Sequence, residues 1–238
     1  GVAPFSTAGD FGTPNDAYFE HAHQVIARAD ALGFLVLLAP AYMGYGGGSE
    51  GWYTSMVKSG PAKLEAYGRY VGMRFRDIDG ILWVNGGDYT PPAEGIALAN
   101  AVAVGIRATD PRHLHTAHWG RGTSGAEVLV GDWLDVNTTY GGGRSYKESL
   151  DDYNRPNVRP FFYVEGYYEG EMGTTPFLVR AQAYDALLAG AMGHVYGRGG
   201  VWQFDSTWRT GLESRGGLTM KHVRDLFEGR RWWDLVPD

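Results

Sequence analysis

A helical pattern followed by an unbroken apolar run recurs along this chain, and that recurrence limits its fold more than any other feature. Phe19, Ala22, Val25, Ile26, Ala29 and Leu32 fall at helical spacing, and Gly33 supplies a stop. Phe34-Leu35-Val36-Leu37-Leu38-Ala39-Pro40 then follows without polar alternation, which is how a parallel strand covered on both faces reads. The helix start is placed at Thr13-Pro14-Asn15-Asp16, with Thr13 as N-cap, Pro14 at the first helical position and Asp16 closing a capping box.

The unit repeats. A helix from about Pro61 to Phe75 precedes Ile81-Leu82-Trp83-Val84, and a helix from about Pro92 to Ala108 ends at Asp110-Pro111 before Leu114-His115-Thr116-Ala117. Trp133 to Asn137 reads as the next strand, Tyr146 to Tyr153 as a helix, and Pro160 to Val164 as a strand. A helix over about Phe177 to Ala191 leads to a strand at Gly193 to Gly197, and a last helix spans about Thr219 to Phe227.

Alternating helices and buried strands imply a parallel sheet with right-handed crossovers, either open and doubly wound or closed as a (β/α)8 TIM barrel. The strand tips decide. They carry Tyr42, then Asn85 and Asp88, His118 and Trp119, Thr139 and Tyr140, Glu165 and Tyr167, and Tyr196 with Trp202 and Gln203. A barrel gathers all such tips around one mouth, whereas an open sheet spreads most of them away from its crevice. The expectation is therefore an α/β barrel, with the 238 residues forming one domain.

Several functions are excluded early. A formal charge of -6 without a Lys/Arg cluster argues against nucleic acid or an acidic membrane surface as partner, and Arg230-Arg231 is too small a pair to alter that. No apolar run approaches the roughly 20 residues that span a bilayer. The absence of cysteine removes disulfides, thiol nucleophiles and Cys-ligated zinc. Gly44 to Gly48 and Gly141 to Gly143 match neither a dinucleotide fingerprint nor a phosphate loop and read as flexible loops over the mouth.

The chemistry left is that of carboxylates among aromatic rings. Aromatic residues make up 14% of the chain, enough to fill a core and leave faces that stack on the C–H surfaces of sugars. Asp88 and Glu165 stand at strand tips, where a pair of carboxylates suits glycoside hydrolysis: one protonates the leaving oxygen, the other attacks or activates water. The competing reading makes Asp88 a cap for the helix near Pro92 and Glu165 the partner of an arginine. Metal chemistry fits less well, since His21 and His23 lie on different helix faces and alternation sends His115 and His118 to opposite faces. A serine-nucleophile elbow is absent from the sequence. Asn137-Thr138-Thr139 is formally a glycosylation acceptor, but a strand end gives it a structural or site role.

At these residues the sequence resembles the apiosidase-like glycoside hydrolases, glycoside hydrolase family 140 and its relatives. The resemblance runs through Tyr67-Gly68-Arg69-Tyr70-Val71-Gly72, Ile81 to Tyr89, Gly105-Ile106-Arg107 with Asp110-Pro111, and Trp133 to Asn137. It continues through Val164-Glu165, Gly190 to Gly197 and Val201-Trp202-Gln203. It implies a retaining barrel glycosidase with Asp88 as acid/base at strand four and Glu165 as nucleophile at strand seven, about 5–5.5 Å apart. Strands one and two would then lie upstream of Gly1, so that residues 1–238 cover strands three to eight and a missing N-terminal segment closes the barrel.

The resemblance further implies a plant cell-wall polysaccharide as substrate, apiose-linked pectin side chains in particular. It implies no metal or other cofactor and a secreted or periplasmic location. Asn85, His118, Tyr140 and Tyr196 are the expected hydrogen bonders to the sugar, Trp119 and Trp202 the stacking platforms, with Tyr42, Tyr167 and Gln203 completing the mouth. One departure is visible: the wider clan places Asn-Glu at the strand-four tip, whereas this chain has Asp88, one methylene shorter. The alternatives are a non-catalytic carbohydrate-binding barrel and an open-sheet nucleotide enzyme, the latter lacking a phosphate cradle.

Overall fold

A computed structural model describes residues 1–128 and 131–237. The chain divides into two compact units, Gly1–Gly120 with Gly125–Val136, and Arg121–Ser124 with Asn137–Asp238.

The first unit runs α1 (Asp16–Ala31), β1 (Val36–Leu38), a 3-10 turn at Tyr45–Gly47, α2 (Tyr53–Phe75), β2 (Ile81–Gly86), α3 (Ala93–Thr109) and β3 (His115–His118). Its three strands form a parallel sheet in the order β1-β2-β3, with Val36 beside Ile81 and Trp83 beside His115. Every residue of β2 is buried, as its apolar run requires.

β1 differs from its expectation. It pairs only with β2, and Phe34 and Leu35 just before it are 63% and 64% exposed, so the run is not covered on both faces. An edge position explains this, because among the described residues the flank of β1 away from β2 has no neighbouring strand.

The N-cap of α1 is Asn15, not Thr13: its side chain accepts from the Ala17 N–H, while Thr13 Oγ1 turns back to the Asp10 carbonyl at 3.0 Å. α2 starts earlier than Pro61, but Gly60 at φ 74° and ψ 166° breaks it, and Pro61 opens the second segment where its missing N–H costs nothing. That segment packs closely on α3. A Cβ on Gly68 would lie 2.2 Å from the Val102 carbonyl oxygen, and one on Gly105 would lie 2.1 Å from that of Glu65. The core beneath holds Trp83, Leu64, Val71, Ile106 and Phe75.

The second unit contains β4 (Asn137–Tyr140), α4 (Tyr146–Tyr153), β5 (Phe161–Glu165), α5 (Pro176–Leu188), a short α6 (Trp208–Gly211), α7 (Arg215–Glu228) and a closing 3-10 turn at Trp232–Asp234. β4 and β5 are parallel, from Asn137 beside Phe161 to Tyr140 beside Glu165, with a register shift at Thr139/Tyr140. α5 and α7 open on Thr175 and Ser214, whose hydroxyls accept from Leu178 and Gly217 N–H groups.

Two predicted strands come out differently. The stretch from Trp133 joins its strand only at Asn137; before that, Asp135 Oδ2 accepts the His115 N–H at 2.9 Å, a donor that a longer ladder would need, and Val136 makes a single parallel bridge to Thr116. Gly193 to Gly197 is reduced to one parallel bridge, His194 to Tyr163, because the flanking glycines offer no side chains to hold a pleat. The strands described are thus a three-stranded and a two-stranded parallel sheet, a mixed α/β architecture.

Candidate active site

In the first unit the carboxyl end of β2 turns sharply to present Asp88. Gly86 sits at φ 98°, where a Cβ would meet the His118 carbonyl oxygen at 2.3 Å. Only glycine satisfies both demands. The turn is pinned by Gly87 N–H to the His118 carbonyl at 2.7 Å and Gly46 N–H to the Asp88 carbonyl at 2.9 Å. Asp88 is half-buried, and the N-cap of α3 is Pro92, which removes Asp88 from the capping position.

The other tip residues of this unit separate into two kinds. Tyr42 and His118 are half-buried beside Asp88's turn. Trp119 is fully buried in the core with its indole N–H aimed at the Gly125 carbonyl at 3.3 Å, so it is a packing residue rather than a stacking platform. Asn85 is also buried, its Nδ2 lying 3.2 Å from His115 Nδ1, so it braces β2 against β3 rather than facing a sugar. Burial, with the nearby Arg107 charge adding to it, pushes His115 down to about 4 and keeps its imidazole neutral.

In the second unit Glu165 ends β5, half-buried, directly opposite Tyr140. The Tyr168 hydroxyl donates to Glu165 Oε1 at 2.8 Å. Burial and the Glu165 carboxylate push the Tyr168 phenol well above its ordinary range, so it stays a donor. Gly166 follows because a Cβ there would sit 2.7 Å from both Gln182 Nε2 and the Tyr163 ring.

Around this carboxylate, the Arg121 guanidinium lies over two tyrosine rings at once, 5.5 Å from Tyr140 and 5.2 Å from Tyr167. Tyr140 is buried, so its ring supports Arg121 instead of facing a sugar. Trp202 is 60% exposed, as a stacking platform needs, and its indole N–H donates to Glu171 Oε1 at 2.7 Å. Gln203 is exposed and accepts from the Gly200 N–H at 3.0 Å.

Tyr196 takes another role. Its hydroxyl bonds the Glu169 carboxylate and Ser214 Oγ, and the Gly216 N–H donates to Glu169 at 2.9 Å. Burial alone would raise the Glu169 carboxyl, but these donors hold it below its ordinary range, while burial and Glu169 push Tyr196 up to about 12. This network ties the loop after β5 to the start of α7. Asn137 is buried, accepting from Ser124 Oγ at 3.0 Å, so its tripeptide is structural.

Tyr168, Arg121 and Glu169 escaped the sequence reading. Tyr168 adjoins the selected Tyr167 and follows Glu165 by one turn-like step, a signal open to detection; Arg121 carried none. Among the described residues no group of three or more His, Cys, Asp or Glu could hold a metal ion.

Parallel strands that end in carboxylates amid aromatic rings have the make-up of a glycosidase catalytic domain. The chain belongs to the apiosidase-like catalytic domain family, whose model matches residues 2–234. It is similar in fold to the crystal structure of a glycoside hydrolase family 5 protein from Bacteroides vulgatus, with a TM-score of 0.78 and 24% identity over 93% of this chain and 55% of that one. A second solved structure, a glycoside hydrolase, gives a TM-score of 0.70 and 21% identity over 92% of this chain and 69% of its own. The chain therefore spans about half, 55%, of the first relative's length. No curated protein matches.

Proposed function

We propose that this domain is a retaining glycoside hydrolase acting on plant cell-wall polysaccharide, with apiose-linked pectin side chains as its particular substrate. The observation that carries the reading is Glu165, half-buried at the carboxyl end of a parallel strand with one oxygen held by Tyr168. Family membership supports the glycosidase class.

In the first step a Glu165 carboxylate oxygen forms a bond to the anomeric carbon. The glycosidic C–O bond breaks, its electron pair stays on the departing oxygen, and Asp88 supplies that oxygen's proton. In the second, water gives a proton to the Asp88 carboxylate and attacks the anomeric carbon, releasing Glu165 with configuration retained. Trp202 offers the exposed ring for a sugar face.

We further propose that residues 1–238 supply strands three to eight of a (β/α)8 catalytic barrel in an exported, secreted or periplasmic protein. The exposed Phe34 and Leu35 beside the unpaired edge of β1 support a further strand there, supplied by an N-terminal segment.

The test is release of reducing sugar from a panel of pectic and other plant polysaccharides by the full-length protein and its Glu165→Gln variant. Loss of turnover by a factor of about 10³ or more supports the reading. Saccharide binding without turnover in the unaltered protein overturns it in favour of a binding module.

A further inference from the structure

We infer that Tyr168 is a positioning residue of Glu165: it holds one carboxylate oxygen in place and favours the ionised group for attack. The inference rests on Glu165 being the nucleophile.

The terminal torsion of a glutamate is soft and roughly two-fold, so an untethered carboxylate exchanges its oxygens freely. The Tyr168 hydroxyl, donating to Oε1 at 2.8 Å, makes the two oxygens inequivalent. A donor to the charged form also favours ionisation. In the glycosyl ester the same hydroxyl faces the oxygen that becomes the carbonyl, and it stabilises the charge returning there as the glutamate leaves.

The phenol is itself held on several sides. Gly197 leaves room for the ring, since a Cβ there would lie 2.2 Å from Tyr168 Cδ1 and 2.5 Å from Cε1. The Trp202 ring meets it edge-on with centroids 6.2 Å apart. Its backbone is pinned by Glu169 N–H to the Gly197 carbonyl at 2.9 Å and Glu171 N–H to its own carbonyl at 3.1 Å. A side chain merely filling space would not need the hydroxyl aimed at Glu165. Sequence alternation could not single it out, because the strand ends at Glu165.

Tyr168→Phe keeps the ring and deletes the hydroxyl. On the 4-nitrophenyl glycoside that the full-length protein hydrolyses fastest, kcat should fall about tenfold or more while KM changes little, the pattern of a lost transition-state contact. The carboxyl-carbon NMR titration of Glu165, its resonance assigned by disappearance in Glu165→Gln, should move to higher pH by about half a unit or more. Gly197→Ala, which displaces the ring without removing the hydroxyl, should shift both readouts in the same direction and serves if Tyr168→Phe fails to fold.

An unmoved Glu165 titration and unchanged kcat in folded Tyr168→Phe, with Glu165→Gln inactive, overturn the positioning role and leave the proposed function standing. Full turnover by Glu165→Gln overturns the proposed function instead. The NMR arm needs no substrate, so an unmoved Glu165 titration overturns the positioning role even for a protein inactive on every aryl glycoside.

Discussion

Trp83 donates its indole N–H to Asp110 Oδ2 across 2.9 Å, and the His113 Nδ1–H meets the same oxygen at 2.7 Å, all three side chains buried. Burial would raise the Asp110 carboxyl, but Trp83 and His113 hold it below its ordinary range. Asp110→Ala leaves two buried donors without an acceptor and should cost about 3 kcal/mol in urea unfolding. Asp110→Asn, which keeps one acceptor oxygen, should cost less.

The close approach of α2 and α3 gives a second test. At Gly68 and Gly105 an added methyl meets backbone oxygen rather than a flexible side-chain end, so neither site yields without moving a helix. Each alanine variant should lose about 2 kcal/mol or more by urea unfolding. Substitution at Gly33, where a Cβ meets nothing within 4 Å, strains only its positive φ and should cost about 1 kcal/mol.

His115 sets an acid window. Its folded pKa of about 4 lies below the ordinary 6.5, so the unfolded chain binds a proton first as pH falls. The neutral imidazole's contribution is complete above pH 6.5 and is lost between about 6.5 and 4, at about 1.4 kcal/mol per pH unit. Asp110, depressed from 3.8, loses its contribution only at lower pH. Urea midpoints measured between pH 7.5 and 4.5 should fall less steeply in His115→Gln than in the unaltered protein.

Asp88 and Glu165 should differ in their response to the leaving group. An acid catalyst matters most when the departing oxygen is basic, so Asp88→Asn should cut hydrolysis of the polysaccharide by about 10² or more and formation of the glycosyl-enzyme from a 4-nitrophenyl glycoside far less. Equal losses on both substrates, read by initial rates and burst amplitudes, would remove Asp88 from the acid role. NMR of the first product should show retained anomeric configuration.

Much of the helical architecture was legible because helical spacing and cap chemistry are local. Pro61 and Tyr146 open helical segments as their positions suggested, and the helix expected from about Phe177 begins one residue earlier, at Pro176. The starts expected at Thr13 and about Thr219 moved because another side chain, Asn15 or Ser214, caps the helix. The turn at Gly86 was legible as a glycine hinge between an apolar run and Asp88, although its reason, the carbonyl of His118, was not.

The sequence by itself determined most of the alternation of helices and strands, which tips carry carboxylates, and that the strands pair in parallel, since each of these follows from residue order and periodicity. Only the tertiary structure decided what each tip side chain does. Trp119 and Asn85 look like site residues in the chain yet are consumed by core and sheet, and Tyr196 is committed to Glu169. Tyr168, one of a pair of adjacent tyrosines, is the one that reaches Glu165. Past Glu165 the backbone leaves the strand, alternation no longer applies, and side-chain direction depends on contacts such as that of Tyr168 with Gly197, far along the chain.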